Sequence, residues 1–200
     1  MKRDMMKYKN LVSVLRGRFP NDWVDALAKI LSSGAEKGSI KYEEINLDED
    51  IDILLLLFKN RMIIPSQTSR SLAWEDRLIL LKPGEKYIIP PVIRNLIQYA
   101  KITGEWKPEL AVAKYLNDIG EEDVERVLEF FRRIREQADG IRVYMDLLLR
   151  EAEKLGLEQE LGRIIAEFKG GGILSPSLRN PSRFHYEINP SLLDRENRDR

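Results

Sequence analysis

Apolar side chains return at helical spacing through most of this chain, and shorter apolar runs broken by Pro and Gly interrupt that spacing twice. After Asn21, the positions Trp23, Val24, Leu27, Ala28, Ile30 and Leu31 share one face of a helix that Asn21 or Asp22 caps and Gly34 or Gly38 ends. Residues 39–45 are too few for more than a strand turning into a brief helix. Residues 51–58 predict a strong helix ending near Asn60, and the acids among 46–52 fall where the positive end of a helix dipole favours them. Residues 62–89 break the period. Their apolar runs flank a polar stretch and the turn signal Pro83-Gly84, which predicts an irregular hairpin with a long loop. Pro90 and Pro91 then open a helix striped by Val92, Ile93, Leu96, Ile97 and Ala100.

Beyond Thr103-Gly104 the chain reads as helical almost to its end. Pro108 opens a helix carrying Val112, Tyr115, Leu116 and Ile119, which Gly120 closes. A second starts at Glu121-Glu122-Asp123 and carries Val124, Val127, Leu128, Phe131 and Ile134. A third is marked by Ile141, Tyr144, Met145, Leu148, Ala152 and Leu155. A fourth, residues 158–169, stops at the glycines 170–172. A strand follows at residues 173–178, then a polar loop with Arg179 and Arg183. In residues 184–188, Phe184, Tyr186 and Ile188 alternate with His185 and Glu187, the period of a strand with one buried face, which puts His185 on the solvent side.

Helix, short strand or helix, helix, hairpin, helix is the order of elements in a winged helix. The stretch Arg77-Leu78-Ile79-Leu80-Leu81-Lys82-Pro83-Gly84-Glu85-Lys86-Tyr87-Ile88-Ile89 resembles the seam of small winged-helix regulators, where the last wing strand meets a Gly turn and a closing helix. That resemblance covers about residues 21–101. The helix to Lys169, the glycines, residues 173–177 and residues 184–190 resemble a second wing. Together they imply a tandem winged-helix protein of the kind found in transcription and chromosome machinery. The expected fold class is mainly α with small β-hairpins (α+β), its winged-helix-like units joined by a helical segment. The expected parts are a basic helical extension at 1–20, a winged-helix-like domain at 21–103, a helical domain with a second wing hairpin at 104–190, and a disordered tail at 191–200.

Composition narrows the chemistry. The 200 residues carry 33 Lys plus Arg and 33 Asp plus Glu, so no global field draws the chain toward nucleic acid or acidic lipid, and any such binding must be local. Cysteine is absent and His185 is the one histidine, which excludes thiolate chemistry, disulfides and His/Cys zinc sites. The longest apolar run, residues 53–58, is far short of a bilayer span, and the basic N-terminus leads into polar residues instead of a signal core. A cytoplasmic protein is expected, with no membrane partner, and the charged fraction of 33% fits a heat-adapted one.

No constellation for catalysis, cofactor or metal emerges. Asp48, Asp50 and Asp52 have the spacing of a calcium loop, but Ile53 stands where that loop needs Gly and Lys59 where it needs a bidentate Glu. The glycines 170–172 lack the Lys and Ser/Thr of a phosphate loop and read as a helix C-cap. The nucleic-acid candidates are Arg163 and Lys169 beside the last helix, with Arg179 and Arg183 at the second wing tip, where guanidiniums reach a phosphate backbone or minor groove. Double-stranded DNA is therefore the leading expected partner of a non-catalytic regulator. The first unit offers the opposite chemistry. Its candidate recognition helix begins with acids that repel phosphate, and Ile51, Leu54, Leu55 and Phe58 suit burial against a protein partner. That yields the competing expectation, a protein-interaction module within a larger complex. The amphipathic helices across residues 121–155 would close a homodimer or wrap a single core.

Overall fold

Glycines end most of the described helices, and a short strand follows two of them. The chain is a mainly α protein with small antiparallel sheets, an α+β fold. The computed structural model describes residues 8–45, 47–66, 73–177 and 184–194, without the side chains of 47–50 and 75. The chain divides into two compact units, Met1–Thr68 with Leu78–Lys107, and Ser69–Arg77 with Pro108–Arg200.

In unit 1, α1 (Lys9–Arg16) packs on α2 (Val24–Lys37) and on α4 (Pro91–Thr103). Leu11 and Leu15 of α1 are fully buried, and the Asn10 side chain donates to the Lys101 and Ile102 carbonyls at the end of α4. So α1 belongs to the core of this unit and is no extension of it: an amphipathic eight-residue helix buries its apolar side instead of leaving it in water. Gly38 ends α2 with φ 77 and turns the chain into β1 (Ser39–Lys41). A short turn of helix, Tyr42–Glu44, leads to α3 (Leu47–Lys59), and β2 (Ile64–Pro65) and β3 (Lys86–Ile88) complete a sheet of order β1-β3-β2. The register pairs Ile40 with Tyr87 and Ile64 with Ile88. Gly34 lets α2 lie against this sheet, because a Cβ there would meet Ile40 Cγ1 at 2.5 Å and Ile89 Cδ1 at 2.6 Å.

Unit 2 repeats the order of elements. Helices α5 (Pro108–Asp118) and α6 (Val124–Glu136) lead to β4 (Arg142–Tyr144), then α7 (Met145–Leu155), α8 (Leu161–Gly171), β5 (Leu174–Ser177) and β6 (His185–Ile188). The sheet order is β4-β6-β5, so in both units the last strand lies between the other two. Phe130 and Phe131 of α6 meet Phe168 of α8 at 6.2 Å between ring centroids, the centre of the core. Most apolar residues of α6 and α7, including Val127, Leu128, Ile134, Leu147 and Leu148 but not the exposed Leu149, are spent on this core, so these helices wrap their own unit.

Three details depart from the sequence expectation. Residues 142–144 form a strand instead of opening a helix, since Gly140 takes φ 59 and the Asp139–Arg142 bridge folds the chain back before Met145. Residues 191–193 are buried: Asn189 donates to the Gly172 carbonyl and accepts from Ser191 N–H, tucking Leu192 and Leu193 into the unit, while 195–200 lie outside the described residues. His185 is 8% exposed and faces inward. Its side of the sheet also carries Tyr144, whose ring centroid is 5.6 Å away, and Ser177 opposite it in register. Trp74, itself buried, lies on the same sheet, its backbone N–H donating to Ser175 Oγ at 2.9 Å, so both faces are covered there.

Candidate functional site

Which side of α3 a residue occupies follows from its place in the helical turn. Ile53, Leu54 and Leu57 point into unit 1 and are buried, Leu54 and Leu57 fully, so Leu54 is a core residue and not part of a docking surface. Its selection from sequence failed because an unbroken run of leucines carries no amphipathic period to separate inside from outside. Ile51 and Leu55 are each 42% exposed, and Phe58 is half-buried, with the Arg61 guanidinium 4.9 Å from its ring centroid. Spaced at i, i+4 and i+7, these three form one stripe. Asp52 and Lys59, both exposed, run beside it. Sequence reasoning passed over this flanking pair. Their seven-residue spacing was the available signal.

The corresponding helix of unit 2, α8, presents different chemistry. Its exposed positions include Gly162, Ala166 and Gly170. Arg163 is held by three carboxylates: Glu121 in a close contact, and Glu160 and Glu167 at 2.7 Å each. Those hydrogen bonds, first that with Glu121, push the guanidinium pKa up, and the same contact holds Glu121 below the usual carboxylate range. Burial pushes Glu167 the other way. A cation so neutralised has little left for a phosphate, which counts against Arg163 as a nucleic-acid contact. The pairing was legible, since Glu160 and Glu167 stand at i−3 and i+4 from Arg163. Lys169 is half-buried in the last turn of α8. Arg179 and Arg183 lie outside the described residues.

Several other described cations of unit 2 are similarly tied. Arg132 and Arg135 clasp Glu109 at 2.8 and 2.7 Å, Arg133 meets Glu129 at 2.9 Å, and Lys154 and Arg150 bind the buried Glu151 at 2.6 and 3.2 Å. The glycines after α8 are packing elements: Gly172 caps the helix with φ 75, and Gly171 faces the Tyr115 ring. Among the described residues there is no group of three or more His, Cys, Asp or Glu placed to hold a metal ion, and no helix long and apolar enough to cross a membrane.

These features define a mainly α protein of two topologically matched units, one showing an apolar helix face and the other a face of small residues around a neutralised arginine. A protein-family model matches residues 9–197, and the chain belongs to that family, whose span takes in both units. Comparison with curated proteins and with solved structures returns no match.

Proposed function

We propose that this protein is a non-catalytic interaction module of two winged-helix-like units, which binds another protein chain through the exposed stripe of α3. The order helix, strand, helical turn or helix, helix, strand, strand, with the last strand central, supports the winged-helix reading in both units. The observation that carries the function is the stripe itself. Ile51 and Leu55 stand in water on the helix that a DNA-reading winged helix would lay in the major groove, where Arg, Lys, Asn or Gln are needed. Apolar side chains lose exposure when another chain covers them, and gain little against phosphate.

The test pairs two measurements on the full chain. Titration of a fluorescent duplex across salt concentrations is expected to show no steep salt-dependent binding. A photo-crosslinking amino acid at position 55 is expected to form a protein adduct that the same residue at exposed position 29 does not form. The partner, identified and purified, should then lose its binding to Leu55→Glu. Tight duplex binding with a steep salt slope, abolished in Arg179→Ala with Arg183→Ala, would overturn the proposal in favour of a DNA-associated regulator.

A further inference from the structure

We infer that the chain covering α3 is a second copy of this protein, the two α3 helices packing antiparallel about a two-fold axis near Leu55. The inference rests on the protein-binding reading above and names its partner. Ile51 and Phe58 lie on one flank of the exposed face, Asp52 and Lys59 on the other, and the members of each pair are two helical turns apart. Leu55 sits midway between both pairs to within about half a residue.

A two-fold axis perpendicular to the helices lays each flank on the same flank of the partner with its ends exchanged. Ile51 then meets the partner's Phe58, Asp52 meets the partner's Lys59, and the two Leu55 side chains touch at the axis. A parallel arrangement loses this match, since a two-fold axis along the helices lays each flank on the opposite flank and sets Asp52 beside the partner's Ile51 and Lys59 beside the partner's Phe58. The face is thus complementary to itself in one orientation, in shape and in charge.

Among the described residues, the bonding leaves these charges available. Asp52 and Lys59 make no ion pair with another described residue, whereas Arg163, Arg132, Arg135 and Glu151 are all engaged. A partner helix of one charge sign would satisfy one end of α3 and repel the other. The chain's formal charge of zero places no long-range repulsion between copies.

Sedimentation of the full chain over a wide concentration range, at low and high salt, tests this. One short helix per copy makes a small interface, so a reversible dimer dissociating at about micromolar concentration is expected, weaker at high salt. Leu55→Glu should raise the dissociation constant by about a hundredfold, because it sets two like charges at the axis. Asp52→Lys and Lys59→Asp should each weaken it by about tenfold, and a mixture of the two should form a heterodimer of restored affinity. All three positions are exposed, so each variant is expected to keep its fold, which circular dichroism checks. A wild-type chain monomeric throughout, or a dimer indifferent to Leu55→Glu, or charge-swapped chains that fail to recognise each other, overturns the inference. If the chain is monomeric and position 55 still crosslinks a different protein, the inference falls while the protein-binding reading stands. Loss of that adduct together with duplex binding removes both.

Discussion

Alanine at Gly171 and alanine at Gly162 should shift stability in opposite directions, although both glycines lie in α8. Helix propensity alone predicts that either change stabilises, by up to about 1 kcal/mol. At Gly162 nothing stands within 4 Å of the added Cβ, so the propensity gain should survive, reduced to roughly 0.5 kcal/mol near the helix end. At Gly171 the Cβ would sit 2.5 Å from Tyr115 Cε1 and 2.8 Å from Cζ. Carbon atoms pack at about 3.5–4.0 Å, so the ring must move by roughly 1 Å. That ring is buried, and its hydroxyl donates to the Glu167 carbonyl at 2.9 Å. Overpacking costs about 1–3 kcal/mol and the lost hydrogen bond about 1, against a propensity gain below 1, for a net destabilisation of about 2 kcal/mol. Urea denaturation followed by circular dichroism measures both variants, with hydrogen exchange in α8 assigning the change to unit 2. In a Tyr115→Ala background the Gly171→Ala penalty should fall below about 0.5 kcal/mol. A Gly171→Ala chain as stable as wild type, or more so, would falsify the packing role of the glycine run.

Further expectations follow from burial and charge. Leu54→Ala should destabilise unit 1 by about 2–5 kcal/mol through a core cavity, while Leu55→Ala in dilute protein should stay within about 0.5, as thermal denaturation will show. Equal losses at the two neighbours would mean that the face of α3 has been misassigned. Arg163→Ala strips the counter-charge from Glu121. With the guanidinium 44% exposed and screened by water, the cost should be about 1–2 kcal/mol, with duplex binding unaltered and Arg163→Lys restoring only part. Glu151 has its pKa lowered, first by the Lys154 hydrogen bond, so its contribution is complete above the ordinary value of 4.5 and lost as pH falls through the folded value. Stability measured from neutral pH downward should decline below that point, and Glu151→Gln should make the decline shallower. Glu167, raised by burial, runs with opposite sign and offsets part of it. An unchanged acid limb in Glu151→Gln would refute the assignment.

The helices were legible where apolar residues kept a clean period, as in α4 and α6, and where Pro or Gly marked the ends. Strands three residues long were not, because they are defined by partners distant in sequence: β4 exists through its pairing with β6, more than forty residues away. His185 shows the same limit. Alternation correctly separated the two sides of β6, but not that the second side would also be covered, since the Trp74 segment that lies on this sheet comes from another part of the chain. On α3 the stripe was half read. Ile51, Leu55 and Phe58 were selected, and Leu54 was added because four consecutive leucines look alike until the core picks Leu54 and Leu57. At Arg163 the miss was different, an arginine chosen without its neighbours Glu121, Glu160 and Glu167.

That last failure bears on what the two units do. The same order of elements places α3 and α8 at corresponding positions, so a common ancestor or a common folding solution would give both the same outward role. Their surfaces argue otherwise. In unit 2, Glu121 and Arg163 commit the helix to its own unit, holding α8 to the chain that precedes α6. In unit 1, the corresponding helix keeps apolar residues in water, where each exposed leucine or isoleucine forgoes roughly 1 kcal/mol or more of burial. Marginally stable domains tolerate such a cost readily when another chain removes it. The division on which the proposal rests is therefore between a unit whose outward helix holds its arginine in internal ion pairs and a unit whose outward helix keeps apolar residues exposed. Association through α3, as proposed, would leave the core of its own unit undisturbed, since the exposed side chains of α3 contribute little to the fold that holds them.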